Sequence, residues 1–191
     1  NNYTVVKRSD VLGAITNCSF NICVAGTHGK TTTSTMLAHI LRHSGFGCNA
    51  FLGGIASNYN SNFWSSNNNV CVVEADEYDR SFLKLNPDIA IITAMDADHL
   101  DIYGTAENVE QAFIDFSARI KPSGCLIVKH GLKRNNDFKV HDTCTYSVDD
   151  DKANIHISNL KITNGAYQFD VINNYWVMQD VMLNMGGLHN I

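Results

Sequence analysis

The chain has 191 residues, 45% of them hydrophobic and 17% charged, enough for one substantial core, and no apolar run nears the ~18 residues that a membrane-spanning helix needs. A formal net charge of −5 with no basic stripe argues against a nucleic-acid surface, so a small anionic ligand has to be held by local geometry and not by a general positive field. Six cysteines (Cys18, Cys23, Cys48, Cys71, Cys125, Cys144) include no C-x-x-C pair and three fall in apolar runs, which is how small core residues are used in a reducing compartment, and a cytoplasmic protein is expected.

Residues 1–17 read as the tail of a preceding unit, with Tyr3, Val5 and Val6 a strand-like fragment that has no partner nearby. From Asn21 the texture becomes strand then helix. Ile22–Ala25 is apolar, and Thr32–His43 carries Met36, Leu37, Ile40 and Leu41 on one helical face before Ser44-Gly45 stops it. Cys48–Leu52 is a second short strand. Residues 57–69, rich in Ser and Asn around Phe63-Trp64, read as a polar loop outside the core. Val70–Val73 and Ile89–Thr93 are continuous apolar runs, as expected of strands covered on both faces. Thr105 caps a helix whose apolar positions Val109, Phe113, Phe116 and Ile120 are spaced four, three and four apart, and Cys125–Val128 is the next buried strand.

From about Thr143 the pattern turns to period-two strands with turn signals at Asn164-Gly165 and Asn173-Asn174, a small antiparallel meander over about 143–185. The fold class expected is α/β: a phosphate-loop-type, mainly parallel sheet flanked by helices, with that meander at its C-terminal end.

The chemistry concentrates where apolar strands stop. Ala25 runs into Gly26-Thr27-His28-Gly29-Lys30-Thr31-Thr32, a loop bounded by glycines that opens a helix. A polyphosphate needs inward-facing N–H groups, a point cation and a hydroxyl for the accompanying Mg²⁺. Gly26 and Gly29 let the backbone curl, Lys30 reaches phosphate oxygens, and Thr31 faces the metal at a helix N-terminus whose dipole favours anions. Val73 ends at Glu74, a carboxylate positioned to hold Mg²⁺ near a triphosphate. Thr93 leads to Asp98-His99, and Asp98 and Asp101 flank the imidazole where they could orient it. Ligands gather at the carboxyl ends of strands in open parallel sheets, so the three tips are expected to converge. Glu77 and Asp79, beside Glu74, read as a solvated acidic turn, because Mg²⁺ is usually held by one or two carboxylates with phosphates and waters. The remaining histidines read as ordinary loop or surface groups.

Four segments in this order, 25–33, Glu74-Ala75-Asp76-Glu77-Tyr78-Asp79, Asp98-His99-Leu100-Asp101-Ile102-Tyr103-Gly104 and Gly187-Leu188-His189-Asn190, resemble the central ATP-binding domain of the Mur ligases. The resemblance implies that residues 18–191 are that domain, with residues 1–17 the tail of a UDP-sugar-binding domain or a linker and with a C-terminal amino-acid domain also missing. It further implies an enzyme of peptidoglycan precursor synthesis that phosphorylates the lactyl carboxylate of UDP-N-acetylmuramate with ATP, after which the amine of L-alanine displaces phosphate. Lys30, Glu74 and His99 would then be catalytic. Thr31 and Glu74 would hold one Mg²⁺, with Glu74 and His99 serving a second. Gly26, Thr27, His28, Gly29, Lys30, Thr31 and Thr32 would bind the phosphates, and His189 and Asn190 would lie on the adenine-ribose side. Several relatives carry a carbamylated lysine on the helix after the His99 motif; residues 105–120 contain no lysine, and no carbamate is expected. A related ligase that attaches a whole tripeptide, a folylpolyglutamate-type ligase, and a switch or transport NTPase with no carboxylate acceptor are the alternatives.

Overall fold

The computed structural model of the protein describes residues 4–191; Tyr3, part of the strand-like fragment, lies outside the described residues. Among the described residues ten strands form one sheet in the order β10-β9-β8-β7-β6-β5-β1-β4-β2-β3. The central strand β1 (Phe20–Ala25) lies between β4 (Val70–Glu74) and β5 (Ile89–Ile92), parallel to both. The outer parallel strands are β2 (Asn49–Ala56) on the β4 side, and β6 (Cys125–Lys129) and β7 (Asp142–Ser147) on the β5 side.

Helices cover both faces because the central strands are apolar on both. On β4, Cys71 and Val73 point into one core with Phe82, Val109, Phe113 and Phe116, while Val72 between them points into a second with Ala38, Ala50, Leu52 and Trp64. The strand period of two thus assigns α4 (Ala106–Ser117) to one face and α2 (Lys30–His43) to the other. Phe82 stacks on Phe116 with ring centroids 4.8 Å apart and meets Phe113 edge-on. As the Thr105 reading expects, that side chain caps α4 by accepting from Asn108 N–H at 3.3 Å, although the helix stops at Ser117, short of Ile120.

Several elements differ from the sequence reading. Of the strand-like fragment, the described Val5 and Val6 form no strand; a helix, α1 (Arg8–Thr16), follows them and packs on the 3₁₀ segment Tyr78–Lys84. Residues 61–64 are not loop but β3 (Ser61–Trp64), hairpinned on β2. Its anchor is Trp64, buried edge-on to Tyr59, and the polar residues beside it face solvent because β3 is the sheet edge. β7 is parallel to β6 and β8 (Ile155–Thr163) is parallel to β7, so antiparallel pairing at this end is confined to β8, β9 (Ala166–Asn173) and β10 (Trp176–Leu183). Asn164 and Gly165 both take positive φ, as the two-residue hairpin turn between β8 and β9 requires. All six cysteines are free, and no described helix is long and apolar enough to cross a membrane.

Two exposed ion pairs tether α1 to the 3₁₀ segment: Lys7 Nζ to Asp79 Oδ2 at 2.5 Å, and Lys84 to Asp10. The Lys84 ammonium holds the Asp10 carboxyl below its ordinary 3.8, and Lys7 does the same for Asp79. A depressed carboxyl contributes its stabilisation above the unfolded value and loses it as pH falls through the folded one. The expected outcome is that protection of the α1 amides, taken relative to their intrinsic exchange rate at each pH, falls selectively below about pH 4, before the central strands open; hydrogen-exchange mass spectrometry between pH 6 and pH 3 measures it.

Candidate active site

The register of the three central strands fixes the site. Val24 pairs with Glu74, and Ala25 with Ile92, so the phosphate loop, Glu74 and the segment after β5 leave the same edge of the sheet. The loop turns at Gly26 (φ 138°) and Gly29 (φ 82°). At Gly26 a Cβ would collide with Thr93 Oγ1 and come within 2.9 Å of Ala94 N, so the close approach demands glycine as well as the φ. Thr93 ties the loop to the end of β5: its N–H donates to Ala25 O at 3.1 Å and its hydroxyl to His28 O. Thr27 is buried, its N–H donates to Ala94 O, and its hydroxyl accepts from Asp96 N–H at 3.1 Å.

Among the described residues, the N–H groups of His28, Gly29, Lys30, Thr31 and Thr32 have no hydrogen-bond acceptor. Five orphan donors at the start of a 14-residue helix fit an anionic phosphate chain. His28 itself is exposed, 3.7 Å from Asp96.

Thr31 Oγ1 donates to Glu74 Oε1 at 2.8 Å, Gly53 N–H donates to Glu74 Oε2 at 2.7 Å, and Ser34 Oγ lies 3.5 Å from the same oxygen. A hydroxyl and a carboxylate already side by side beside the orphan N–H groups are a donor set that suits Mg²⁺, a hard cation that takes oxygen ligands. Gly53 is a residue the sequence reading missed. A Cβ there would collide with the Glu74 carboxylate, and one on Gly54 would meet Thr31 Cγ2 at 3.0 Å; the available signal was the glycine doublet interrupting an apolar strand, which marks a close approach.

The reading of Glu77 as solvated is overturned. Glu77 is 1% exposed, and both its carboxylate oxygens lie 2.8 Å from Lys30 Nζ, which also donates to Gly26 O at 2.8 Å. A buried carboxylate is tolerable only with such a partner. Tyr103 OH donates to the Glu77 carbonyl at 2.6 Å, and burial raises that phenol to about 12. Asp79, by contrast, is exposed and bound to Lys7.

His99 turns toward Glu77, its Nε2 3.7 Å from Oε1 and 3.9 Å from Asp98 Oδ2, with the Tyr78 ring edge-on at 5.3 Å. The carboxylates within 4 Å of His99 Nε2 in this structure are those of Glu77 and Asp98, and no three His, Cys, Asp or Glu among the described residues gather as a metal site. His189 and Asn190 lie beyond β10 in a 3₁₀ turn, His189 exposed and Asn190 donating to Gly186 O, without hydrogen bonds to the loop. Away from this edge, His39 and His43 stand four residues apart on α2 and stack at 5.5 Å, a spacing overlooked in reading the histidines as ordinary; His39 Nδ1 is 2.7 Å from Tyr59 OH.

A glycine-bounded loop at a helix start, a lysine, a threonine and a strand-tip glutamate at the C-terminal edge of a parallel sheet define the class of phosphate-loop nucleotide-binding domains. The comparison with known proteins goes further: residues 24–191 match the Mur ligase middle domain, and the chain belongs to the Mur ligase family. It is 44% identical over 191 residues to UDP-N-acetylmuramate–L-alanine ligase of Flavobacterium johnsoniae, covering 100% of this chain and 40% of that protein. The like-named protein of Porphyromonas gingivalis is 51% identical over 174 residues, 88% of this chain and 38% of its own length. The chain thus spans about two fifths of these relatives. Among solved structures, UDP-N-acetylmuramate-alanine ligase of Thermotoga maritima superposes with TM-score 0.78 at 26% identity, over 95% of this chain and 40% of that one. A ligase for UDP-N-acetylmuramate and L-alanyl-gamma-D-glutamyl-meso-diaminopimelate from Neisseria meningitides gives TM-score 0.83 at 22% identity, over 95% and 61%, a likeness of fold.

Two outcomes follow from the packing. Gly53→Ala pushes the Glu74 carboxylate off Thr31, and Mg²⁺-dependent nucleotide binding, read by titration calorimetry, is expected to weaken about tenfold or more with little change in melting temperature. Lys30→Ala strands Glu77 without a cation, which is expected to cost about 3 kcal/mol of stability; adding Glu77→Gln restores much of it, and denaturant melts of the two variants measure the difference.

Proposed function

We propose that the protein containing this chain is an ATP-dependent amide ligase that joins L-alanine to the lactyl carboxylate of UDP-N-acetylmuramate. The observation that carries the reading is the meeting of Lys30, Thr31 and Glu74 at one sheet edge, next to a cleft of about 420 Å³. That cleft has Glu74, Asp76 and Arg8 along it and apolar walls from Val11, Ile15 and Phe51. Relatives 44% and 51% identical that bear the name of this ligase support it.

A carboxylate resists attack by an amine, so its oxygen first accepts the γ-phosphoryl group of ATP, releasing ADP. The amine nitrogen then bonds to the acyl carbon, phosphate leaves, and the amine loses its proton. The chain's share is positioning and charge neutralisation, which carry most of the catalysis in phosphoryl transfer. The N–H groups of residues 28–32 cradle the phosphates, and Lys30 balances charge on the transferred group. Thr31 and Glu74 would hold Mg²⁺, which when bound supplies further neutralisation at the phosphate oxygens. The cleft beside Glu74 takes the acceptor carboxylate, and His99 stands next to Glu77 in the segment after β5. His189 and Asn190 serve the adenine-ribose side. The amino-acid site belongs to parts of the protein beyond this chain.

Phosphate release by the full-length protein tests the reading. Release is expected only when ATP, UDP-N-acetylmuramate and L-alanine are all present. Release indifferent to acceptor and amine would make the protein an NTPase, and dependence on a tripeptide in place of L-alanine would move it to the neighbouring ligase.

A further inference from the structure

We propose that Glu77 is a positioning residue that latches the phosphate loop: it parks the Lys30 ammonium in the nucleotide-free protein and, when Lys30 turns to phosphate, passes its carboxylate to His99. The proposal rests on the nucleotide-binding reading above and adds the coupling between its two halves.

An ammonium has three donors and no more. In this structure Lys30 donates to the Gly26 carbonyl and to Glu77 Oε1, each at 2.8 Å, and Oε2 stands at the same distance with no hydrogen-bond partner of its own, so the ammonium is held against the Glu77 carboxylate. A phosphate that draws the ammonium toward itself draws it away from the buried carboxylate that now holds it. The bond to Gly26 O lies within the loop itself, whereas the bond to Glu77 ties the ammonium to the turn after β4, the neighbouring strand. Glu77 is therefore the group that competes with the nucleotide for Lys30. A protein held mostly in the latched arrangement binds more weakly in proportion to the small fraction that is unlatched.

Release leaves a second problem, because a carboxylate 1% exposed cannot remain without a donor. The nearest alternative is His99 Nε2, 3.7 Å from Oε1, less than 1 Å beyond hydrogen-bond length. The imidazole has room to close: it is one third exposed and packs edge-on to Tyr78 without a hydrogen bond to it. The backbone of Glu77 stays fixed meanwhile, pinned by the Tyr103 hydroxyl and by Arg80 N–H, which donates to the same carbonyl. One buried carboxylate thus exchanges the ammonium of the phosphate loop for the imidazole of the segment after β5, and nucleotide binding sets the ring of His99.

Glu77→Gln in the full-length protein tests this. The amide keeps the shape and gives up the charge, so Lys30 is freed in advance: Mg²⁺-ATP is expected to bind about tenfold tighter, while ligation turnover falls because His99 loses its partner. In wild type the ring resonances of His99 are expected to shift on adding a non-hydrolysable ATP analogue, and in the variant they stay still. Glu77→Asp, which keeps a carboxylate but withdraws it by one methylene, is expected to tighten ATP binding in the same direction by a smaller factor, and it decides the matter should the Gln variant fail to fold. Unchanged or weaker ATP binding in the folded variants, beside normal binding by wild type, overturns the latch and leaves the nucleotide reading intact. No ATP binding by wild type overturns both.

Discussion

The site depends on the alignment of three parallel strands. β1 sits between β4 and β5 with Val24 opposite Glu74 and Ala25 opposite Ile92, so the chain leaves all three strands at one level. Shifting β4 by a single residue would turn Glu74 to the opposite face of the sheet and carry Val73 out of its core. The register is held by residues buried on both faces, Cys23, Val24 and Ala25 against Val72, Val73, Ala90 and Ile92, so the same burial that stabilises the centre of the fold also sets where a carboxylate, a lysine and a hydroxyl meet.

That convergence concentrates negative charge. Glu74, Asp76, Glu77, Asp79, Asp96 and Asp98 all lie on the two segments facing the loop, and Lys30 is the cation that the loop itself brings to them. Each acid is handled differently. Glu74 is held by the Thr31 hydroxyl and the Gly53 N–H, neutral donors that a metal ion can supplement. Asp98 accepts from the N–H of His99, whose φ of 52° puts it in the left-handed region and swings its ring back over the strand tips. Asp79 is given to Lys7 on α1, at the surface. Only Glu77 is both buried and paired to a group the ligand also needs. An anion can enter such a site because the orphan N–H groups of α2 and the added cation offset the acids, which explains why net charge alone says little about what the chain binds.

The loop, the strand tips and the alternation of strand and helix were legible because they are local. Gly26, Gly29, Lys30 and Thr31 declare themselves by type and spacing, and Val70–Val73 and Ile89–Ile92 by being apolar without a break. The rest depends on partners distant in sequence. Nothing in the string Glu74-Ala75-Asp76-Glu77 says which acid is buried; Glu77 is selected by Lys30, 47 positions away. Gly53 matters through Glu74, 21 positions on. Trp64 organises an edge strand from a stretch whose polar composition reads as loop, because one buried indole outweighs several solvent-facing asparagines. α1 has a weak apolar stripe and is held by what it touches, through Lys84 and Asp79, more than by its own pattern.

The helix that follows His99 completes the account of how the acids are placed. α4 has no lysine and turns Val109, Ala112, Phe113 and Phe116 into the core against Phe82, and its one mostly buried acid, Glu110, is 4.0 Å from Lys133, on another side of the helix. It therefore supports the site by packing and contributes no charged group to it. The carboxylate beside His99 comes instead from the turn after β4, three residues beyond Glu74. One short segment thus carries both the acid that faces Thr31 and the acid that faces Lys30 and His99, and Ala75, fully buried between them with its N–H on Val24 O, is the rivet that keeps the two apart. With their backbones fixed by the sheet, the two carboxylates do not exchange roles: Glu74 stays with the hydroxyl, Glu77 serves the ammonium or the imidazole, and the freedom left in the site is that of the lysine and the imidazole.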